Sequence, residues 1–284
     1  MAGFSSHRAI LQADEDGKVS TFSFRKTPAV ATTAGIWYDM SMAPGNPVPN
    51  YYANTPLVAA TLTGTEGIFH GGTVSPATKH IREVMALSSS ATGLPLRCMI
   101  LDYLLYYPFI DQGNTDEQVM TNSVTLPRYT DGTRVQIMAV LVGAQTGGQQ
   151  FTVKYTNQNG VTGRVTLPVI CNTAGYNGAV VSTQTNNDLA AGPFLPLQAG
   201  DTGVRAIESV TMLGADVGLM TFVLVKALES FTLRGVDAPA EASYVTDFPG
   251  MTRVVDGAYL NLLCLPNGSL SGVSIHGLLT TTWN

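Results

Sequence analysis

A short loop rich in acidic and amide side chains is the part of the sequence best suited to surface chemistry. The string DQGNTDE includes Asp111, Asn114, Asp116 and Glu117 within seven residues, and each of these side chains ends in a carboxylate or an amide. Carboxylate and amide oxygens are the ligands that a hard divalent cation prefers. The same residue types also favour turns for local reasons, so a solvated loop between two strands is the simpler interpretation. We predict a contact loop here, because loops at the end of a β-sandwich are free to carry recognition.

Other catalytic or metal-binding motifs are incomplete. The segment 14–17 (DEDG) resembles the start of a calcium loop, but Lys18 and Arg25 stand where that loop needs oxygen ligands. The triplet 70–72 (HGG) resembles the oxyanion loop of some esterases. The matching nucleophile elbow G-x-S-x-G is missing, since the nearest string, 272–276 (GVSIH), ends in histidine. We therefore predict that the chain is not an enzyme and needs no cofactor or metal ion.

An aromatic run at 103–109 (YLLYYPF) leaves two alternatives open. Aromatic rings can stack sugars or bases, and together with the polar stretch 172–201 this run favours a receptor- or glycan-binding module. A hydrolase acting on cell-wall material would instead need a positioned acid–base pair, for which Asp102 and Asp111 are the nearest carboxylates. A buried core strand with tyrosine hydroxyls at its rim is the simpler interpretation.

The three cysteines do not form a recognisable pattern. They are Cys98, Cys171 and Cys264, and each lies inside an apolar run. An odd number at wide spacing argues against a disulfide framework. We expect each thiol to be a small buried hydrophobic group.

Composition excludes several classes of protein. Charged residues make up 12% of the 284 residues, and Lys+Arg 15 against Asp+Glu 20 gives a net charge of −5. A nucleic-acid partner would need a basic domain, and the chain has no apolar run of transmembrane length. The first residues also lack the apolar core of a secretory signal. Because charged residues are depleted from interface cores, this composition favours a homo-oligomer with protein partners. We predict that the chain binds neither nucleic acid nor a membrane.

The order of residues predicts a mainly β fold. About ten apolar or alternating runs are bounded by turn residues, including 95–111, 134–142, 204–213 and 218–233. The sharpest local pattern is 151–169, where alternating apolar residues flank Asn159-Gly160 and predict a hairpin with a type I′ turn. We predict an antiparallel β-sandwich, jelly-roll-like, over residues 93–284.

The first part of the chain has a different pattern. Residues 1–92 carry six prolines and little alternation, so we predict an extended arm that wraps a neighbour. One short helix is predicted near 75–87, with Ser75 as N-cap, Pro76 in the first position and an apolar stripe from Ile81 to Met85. A second segment, 5–13, starts with Ser5 and Ser6 as candidate N-caps and is at most a short amphipathic helix.

Several strings resemble one known group of proteins. They are MAGFSSHRAILQADEDGK, AGIWYDMSMAPGNPVPNYY, HGGTVSPATKHI, FTVKYTNQNGVTGRV and LPLQAGDTGVRAIESV. Together they look like a family of structural proteins from the virions of tailed bacteriophages, over most of the chain. The shared strings are packing and turn patterns, so no individual binding residue carries over.

The resemblance implies a component of the phage particle, and in particular a capsid decoration or cement protein. Such proteins lie on the outer shell, often as trimers, and clamp its capsomers. The implied partners are the major capsid protein or other virion subunits. The implied location is the capsid surface, after synthesis in the host cytoplasm. Two alternatives stay open: a tail or neck component, and a virion protein that binds a receptor or glycan.

Overall fold

Two long antiparallel strands run through the centre of the molecule. The computed structural model describes residues 3–181, 192–236, 238–247 and 250–284. Leu96–Asp111 and Leu219–Leu233 are strands of 16 and 15 residues that pair along almost their whole length. The sequence predicts both as strands from their aromatic and β-branched residues, and the structure confirms this.

The other elements are short by comparison. In chain order the elements are α1 (His7–Glu15), β1 (Val19–Lys26), β2 (Tyr38–Asp39), a 3₁₀ turn (Met40–Met42), β3 (Gly45–Asn46), β4 (Ala60–Thr61), β5 (Lys79–Ser88), β6 (Leu96–Asp111), β7 (Gln118–Val119), β8 (Gln136–Leu141), β9 (Gln145–Thr146), β10 (Gln150–Asn157), β11 (Arg164–Val165), β12 (Val169–Ile170), β13 (Ala174–Gly175), β14 (Val204–Met212), β15 (Leu219–Leu233), β16 (Ala240–Ser243), β17 (Arg253–Val254), β18 (Leu260–Leu265) and β19 (Ile275–Trp283).

The strands form three main antiparallel sheets. The central sheet has the order β2-β18-β6-β15-β8, with β4 also paired to β6. The first flanking sheet has the order β16-β5-β19-β1-β3, with β17 also paired to β5. The second flanking sheet has the order β11-β10-β14-β7, with β12 also paired to β10. The predicted mainly β, antiparallel sandwich is therefore confirmed, whereas the jelly-roll order stays a prediction.

The central sheet is shared by two hydrophobic cores. Near Asp111, β6 and β15 pack against the second flanking sheet in a buried cluster that includes Tyr107, Phe151, Val210 and Phe222. Toward Leu96, the same two strands pack against the first flanking sheet in another cluster that includes Phe24, Ile100, Phe231 and Leu279. Burial of these apolar side chains is the main force that holds each sandwich together.

The first 92 residues are not an arm that lies outside the body. β1 and β5 both pair with β19 near the carboxyl end of the chain, so they are internal strands of the first flanking sheet. Trp37, Tyr52 and Leu62 are buried against the opposite face of the central sheet. The sequence does not predict this role, because the prolines interrupt the segment and its apolar residues follow no periodic pattern.

The predicted helix near 75–87 is wrong, because Lys79–Ser88 forms strand β5. Val84, Ala86 and Ser88 alternate toward the core while Met85 and Leu87 point away. Pairing with β19 on one side and with β16 and β17 on the other outweighs the local helix signals. The one helix of the described residues is α1, at the shorter segment that follows Ser6, whose side chain caps it.

The predicted hairpin after Gln150 is confirmed, but its turn is different. Phe151, Val153 and Tyr155 are fully buried, and Tyr155 pairs with Arg164 of β11. The turn extends beyond the two residues Asn159 and Gly160. The Asn157 side chain holds it by accepting hydrogen bonds from the backbone N–H groups of Asn159 and Val161, each at 3.0 Å. A side-chain acceptor of this kind replaces the tight turn that the Asn-Gly pair indicated.

Candidate interaction surface

The predicted contact loop joins β6 to β7 and is internally braced. The Asp111 carboxylate accepts a hydrogen bond from the Gly113 backbone at 2.8 Å, and the Asn114 side chain accepts one from Asp116 at 2.9 Å. The Gln118 side chain donates to the Asp111 carbonyl at 2.8 Å and accepts from its N–H at 3.0 Å. Asp111 and Asn114 therefore shape the loop, as Asx turns do.

Glu117 differs from the other three residues of the predicted loop site, because its side chain is bonded to the second flanking sheet. Its carboxylate accepts hydrogen bonds from Lys154 at 2.7 Å and Ser209 at 2.6 Å on the exposed face of the second flanking sheet. The bonds from Lys154 and Ser209 lower the pKa of Glu117. Within the described ranges, no three His, Cys, Asp or Glu side chains group as metal ligands would. The contact role of this loop stays a prediction.

Two further loops dock onto the predicted one. The Asp216 N–H donates to the Gln112 carbonyl at 2.8 Å, and Val217 and Thr146 exchange two backbone hydrogen bonds of 2.9 Å. The Asp216 carboxylate accepts from the backbone of Gly148 and Gln149 at about 3 Å. We call the combined surface of residues 111–119, 143–149 and 213–219 the loop end. Its backbone is cross-braced rather than independent.

The loop end presents apolar side chains to solvent. Val217 is 67% exposed, Val119 64% and Leu213 55%. Single exposed apolar residues are ordinary, whereas a large contiguous apolar patch marks an interaction site; these three side chains all belong to the loop end. These residues are not among those that the sequence predicts. The turn glycines at 214 and 218, which flank a lone valine, are the only signal that would have found Val217.

The aromatic run lies inside the molecule. Tyr103 and Tyr107 are fully buried, and their hydroxyls donate to Asp39 at 2.8 Å and Asn122 at 2.7 Å. These rings are not available to stack sugars or bases. Of the polar stretch 172–201, residues 182–191 lie outside the described residues. The run confirms the core-strand interpretation, and the glycan-binding alternative loses its aromatic platform.

Asp102 and Asp111 do not form an acid–base pair. Asp102 is fully buried and accepts two hydrogen bonds from Arg128, at 2.7 and 3.0 Å. Its carboxylate also accepts from the Tyr259 N–H at 3.0 Å. The two aspartates are nine residues apart along β6, which corresponds to roughly 30 Å at about 3.3 Å per residue. Asp102 is one half of an internal ion pair.

The His-Gly-Gly segment forms a cage for a buried lysine. Lys79, 1% exposed, donates to the carbonyls of Gly72 at 2.6 Å and Gly71 at 3.2 Å, and to His70 Nδ1 at 3.3 Å. His70 Nε2 therefore carries the proton and donates to the Ala258 carbonyl at 3.0 Å. Burial lowers the pKa of His70 to about 4, and Lys79 adds to the effect. An oxyanion hole needs inward N–H groups, and here the carbonyls of Gly71 and Gly72 point inward.

Comparison with known proteins gives little similarity. No family model matches the chain, and no curated protein matches it. The 2.6 Å structure of infectious bursal virus derived T=1 particles is 8% identical, over 93% of this chain and 77% of that chain, with a TM-score of 0.18. The crystal structure of an infectious bursal disease virus VP2 subviral particle is 8% identical, over 94% and 80%, with a TM-score of 0.16. Likeness at this level carries no argument about function.

Among the described residues, no helix is long and apolar enough to cross a membrane.

Proposed function

We propose that the protein is a non-catalytic structural component of a tailed-bacteriophage particle, and specifically a capsid decoration (cement) protein. It stabilises the shell through contacts with the major capsid protein and with copies of itself, in a trimer. The observation that carries the proposal is the loop end, where exposed apolar side chains stand on three loops that brace one another. The virion setting of this proposal rests on the sequence resemblance.

The bracing of the loop end favours binding to another protein. Association loses affinity when flexible loops must be ordered at the interface. Here the backbone hydrogen bonds between Val217 and Thr146, and between Asp216 and Gln112, fix the surface before any partner arrives. If a partner covers Val217 and Leu213, the binding free energy becomes more favourable by about 25 cal/mol for each Å² of apolar area removed from water.

The sparse charge of the chain favours the same role. Six charged side chains of the described residues are buried: Lys26, Asp39, Lys79, Asp102, Arg128 and Asp216. The surface therefore carries even fewer charges than the 12% of the whole sequence suggests. Few charges have to be desolvated when such a surface meets a neighbouring subunit, and burying an unpaired charge is costly.

The number of copies per particle tests the proposal. Quantitative mass spectrometry of purified particles from the virus that encodes this chain should find it in hundreds of copies. Three to twelve copies would instead favour a tail or neck component, which is the second assignment that the sequence leaves open. Complete absence from particles would overturn the virion proposal in both forms.

A pair of variants tests the proposed surface. Val217→Glu places a charge on the loop end, and we expect it to weaken binding to purified shells at least tenfold in a co-sedimentation assay. Leu11→Glu is the matched control, because Leu11 is 50% exposed on α1, outside the loop end. Both variants should melt within a few degrees of the unsubstituted protein. Equal binding by both variants would show that the loop end is not the contact surface.

A further inference from the structure

Two of the three cysteines meet in the folded molecule, although 166 positions separate them in the chain. Cys98 on β6 and Cys264 on β18 are register partners in the central sheet. Their sulfur atoms lie 3.2 Å apart, and both side chains are fully buried. Cys171 lies elsewhere, with its sulfur 3.8 Å from the Gln112 side chain. The sequence does not predict the pair, since the spacing of cysteines does not show which strands become neighbours.

The position of the pair in the ladder suits a disulfide. The Tyr103 N–H donates to the Tyr259 carbonyl at 2.9 Å, which marks residues 103 and 259 as a hydrogen-bonded pair. The register from Leu260 to Leu265 has no bulge, so hydrogen-bonded and non-hydrogen-bonded pairs alternate along it. Cys98 and Cys264 therefore form a non-hydrogen-bonded pair, where Cα atoms lie about 4.5 Å apart. Disulfides span Cα separations of about 4.4–6.8 Å.

Little movement separates the two thiols from a covalent bond. A disulfide has a sulfur–sulfur distance of about 2.05 Å, so the sulfur atoms need to approach by roughly 1.2 Å. Both residues are held by the backbone ladder of the central sheet, and the neighbouring side chains Leu96, Ile100 and Leu262 belong to the same buried cluster. The sheet has already aligned the two strands that the bond would join.

We propose that Cys98 and Cys264 are a disulfide-forming pair, oxidised by a small-molecule disulfide to a cross-strand bond between β6 and β18. One cysteine thiolate attacks the small disulfide and releases one thiol, which leaves a mixed disulfide on the protein. The second cysteine thiolate attacks the cysteine sulfur of the mixed disulfide and expels the other half of the small disulfide as a thiol. Two protein thiols and one small disulfide thus give one protein disulfide and two small thiols. The inference does not depend on the proposed function.

The environment of the pair sets when the reaction occurs. Burial, together with the neighbouring Cys98, raises the pKa of the Cys264 thiol. Since the thiolate is the reactive species, the folded protein reacts slowly and the bond forms as the strands come together during folding. A disulfide at this position closes a loop of about 166 residues. Longer closed loops restrict the unfolded chain more strongly and so stabilise the folded state more.

Refolding in a glutathione redox buffer tests the pair. The full chain is unfolded under reducing conditions, refolded with oxidised and reduced glutathione, and alkylated in denaturant, because all three cysteines are buried in the folded protein. It is then analysed by intact mass spectrometry and proteolysis. We expect a mass lower by two hydrogen atoms, a cross-linked peptide joining residues 98 and 264, and alkylation of Cys171 alone. Three alkylated cysteines, or glutathione adducts on Cys98 and Cys264 without a cross-link, would overturn the proposal.

Variants separate pairing from general oxidation. Cys171→Ser keeps the pair and should give the same cross-linked peptide. Cys98→Ala and Cys264→Ala should each remove the cross-link and leave the surviving member of the pair free to be alkylated. A cross-link that includes Cys171 in the unsubstituted chain would contradict the assignment. The first readout needs only the unsubstituted protein, so a failure of either alanine variant to fold does not decide the test.

Discussion

Individual hydrogen-bond partners stabilise the lysine side chains that are buried in this sparsely charged protein. Lys79 is surrounded by two glycine carbonyls, a neutral histidine and Asp256, whose carboxylate lies 3.5 Å away. Lys26 is enclosed in the same manner and donates to the carbonyls of Ala43 and Pro47, each at 2.9 Å. Backbone carbonyls thus satisfy buried cations where few acidic side chains exist, as buried polar groups require.

The buried histidine makes stability sensitive to acid. The pKa of His70 falls to about 4 in the folded state, against about 6.5 in an unfolded chain. The contribution of His70 to stability is therefore complete above pH 6.5 and is lost as the pH falls from 6.5 toward 4, because the unfolded chain takes up the proton first. The loss should reach about 3 kcal/mol, which urea denaturation at successive pH values would measure.

His70→Gln is the control for this titration. Glutamine keeps a donor for the Ala258 carbonyl and an acceptor for Lys79 but does not titrate, so the stability lost between pH 6.5 and 4 should shrink. Asp256 and Lys79 face the histidine and are unchanged in the variant. An identical pH dependence in both proteins would show that His70 does not cause the loss.

The Asp102–Arg128 pair should matter more than the surface pairs. Arg128→Met removes the guanidinium and leaves a buried carboxylate without its partner, which costs about 3–5 kcal/mol. Arg82→Met breaks the ion pair with Asp14 on the surface and should cost less than about 1 kcal/mol. Urea denaturation at pH 7 compares the two. Similar losses in both variants would mean that burial does not govern the strength of the pair.

At the scale of elements, the sequence predicted the strands that carry their own pattern. The apolar runs of β6 and β15 and the alternation of β10 are readable without any neighbour, and all three were predicted as strands. Strand β5 was not, because its Ser-Pro start and its Ile81–Met85 stripe indicate a helix locally. Its true state is set by β19, which lies about two hundred residues further along the chain.

The candidate surface shows the same division. The polar residues of the contact loop were predicted from their types, and Asp111 and Asn114 shape the loop as such residues do. That Glu117 turns toward Lys154, and that residues 143–149 and 213–219 dock beside the loop, depends on tertiary packing. A single sequence gives no signal for contacts of that kind.

Two truncations test the place of the first elements. Deleting residues 1–16 removes α1, of which only Ala13 is buried, and should lower the melting temperature by a few degrees. Deleting residues 1–27 also removes β1, whose eight residues pair with β19, and should leave no cooperative thermal transition. Circular dichroism measures both. A cooperative transition in the longer truncation would show that β1 is dispensable, as an external arm would be.

For the molecule as a whole, the shared central sheet links the two cores. β6 and β15 contribute side chains to both hydrophobic clusters, so neither sandwich keeps a complete core when the other opens. We expect one calorimetric transition with equal calorimetric and van't Hoff enthalpies. Two resolved peaks, or a van't Hoff enthalpy well below the calorimetric one, would show that the sandwiches unfold separately.

The long strand pair also decides how the protein bears mechanical load. β6 and β15 extend about 50 Å at about 3.3 Å per residue, and β6 ends in the loop end. A force applied at the loop end along the strand direction loads the hydrogen bonds between β6 and β15 in shear. Many of these backbone hydrogen bonds then resist the force together instead of breaking one after another. Tension that enters through the contact loop is thus carried past both cores to the far side of the subunit.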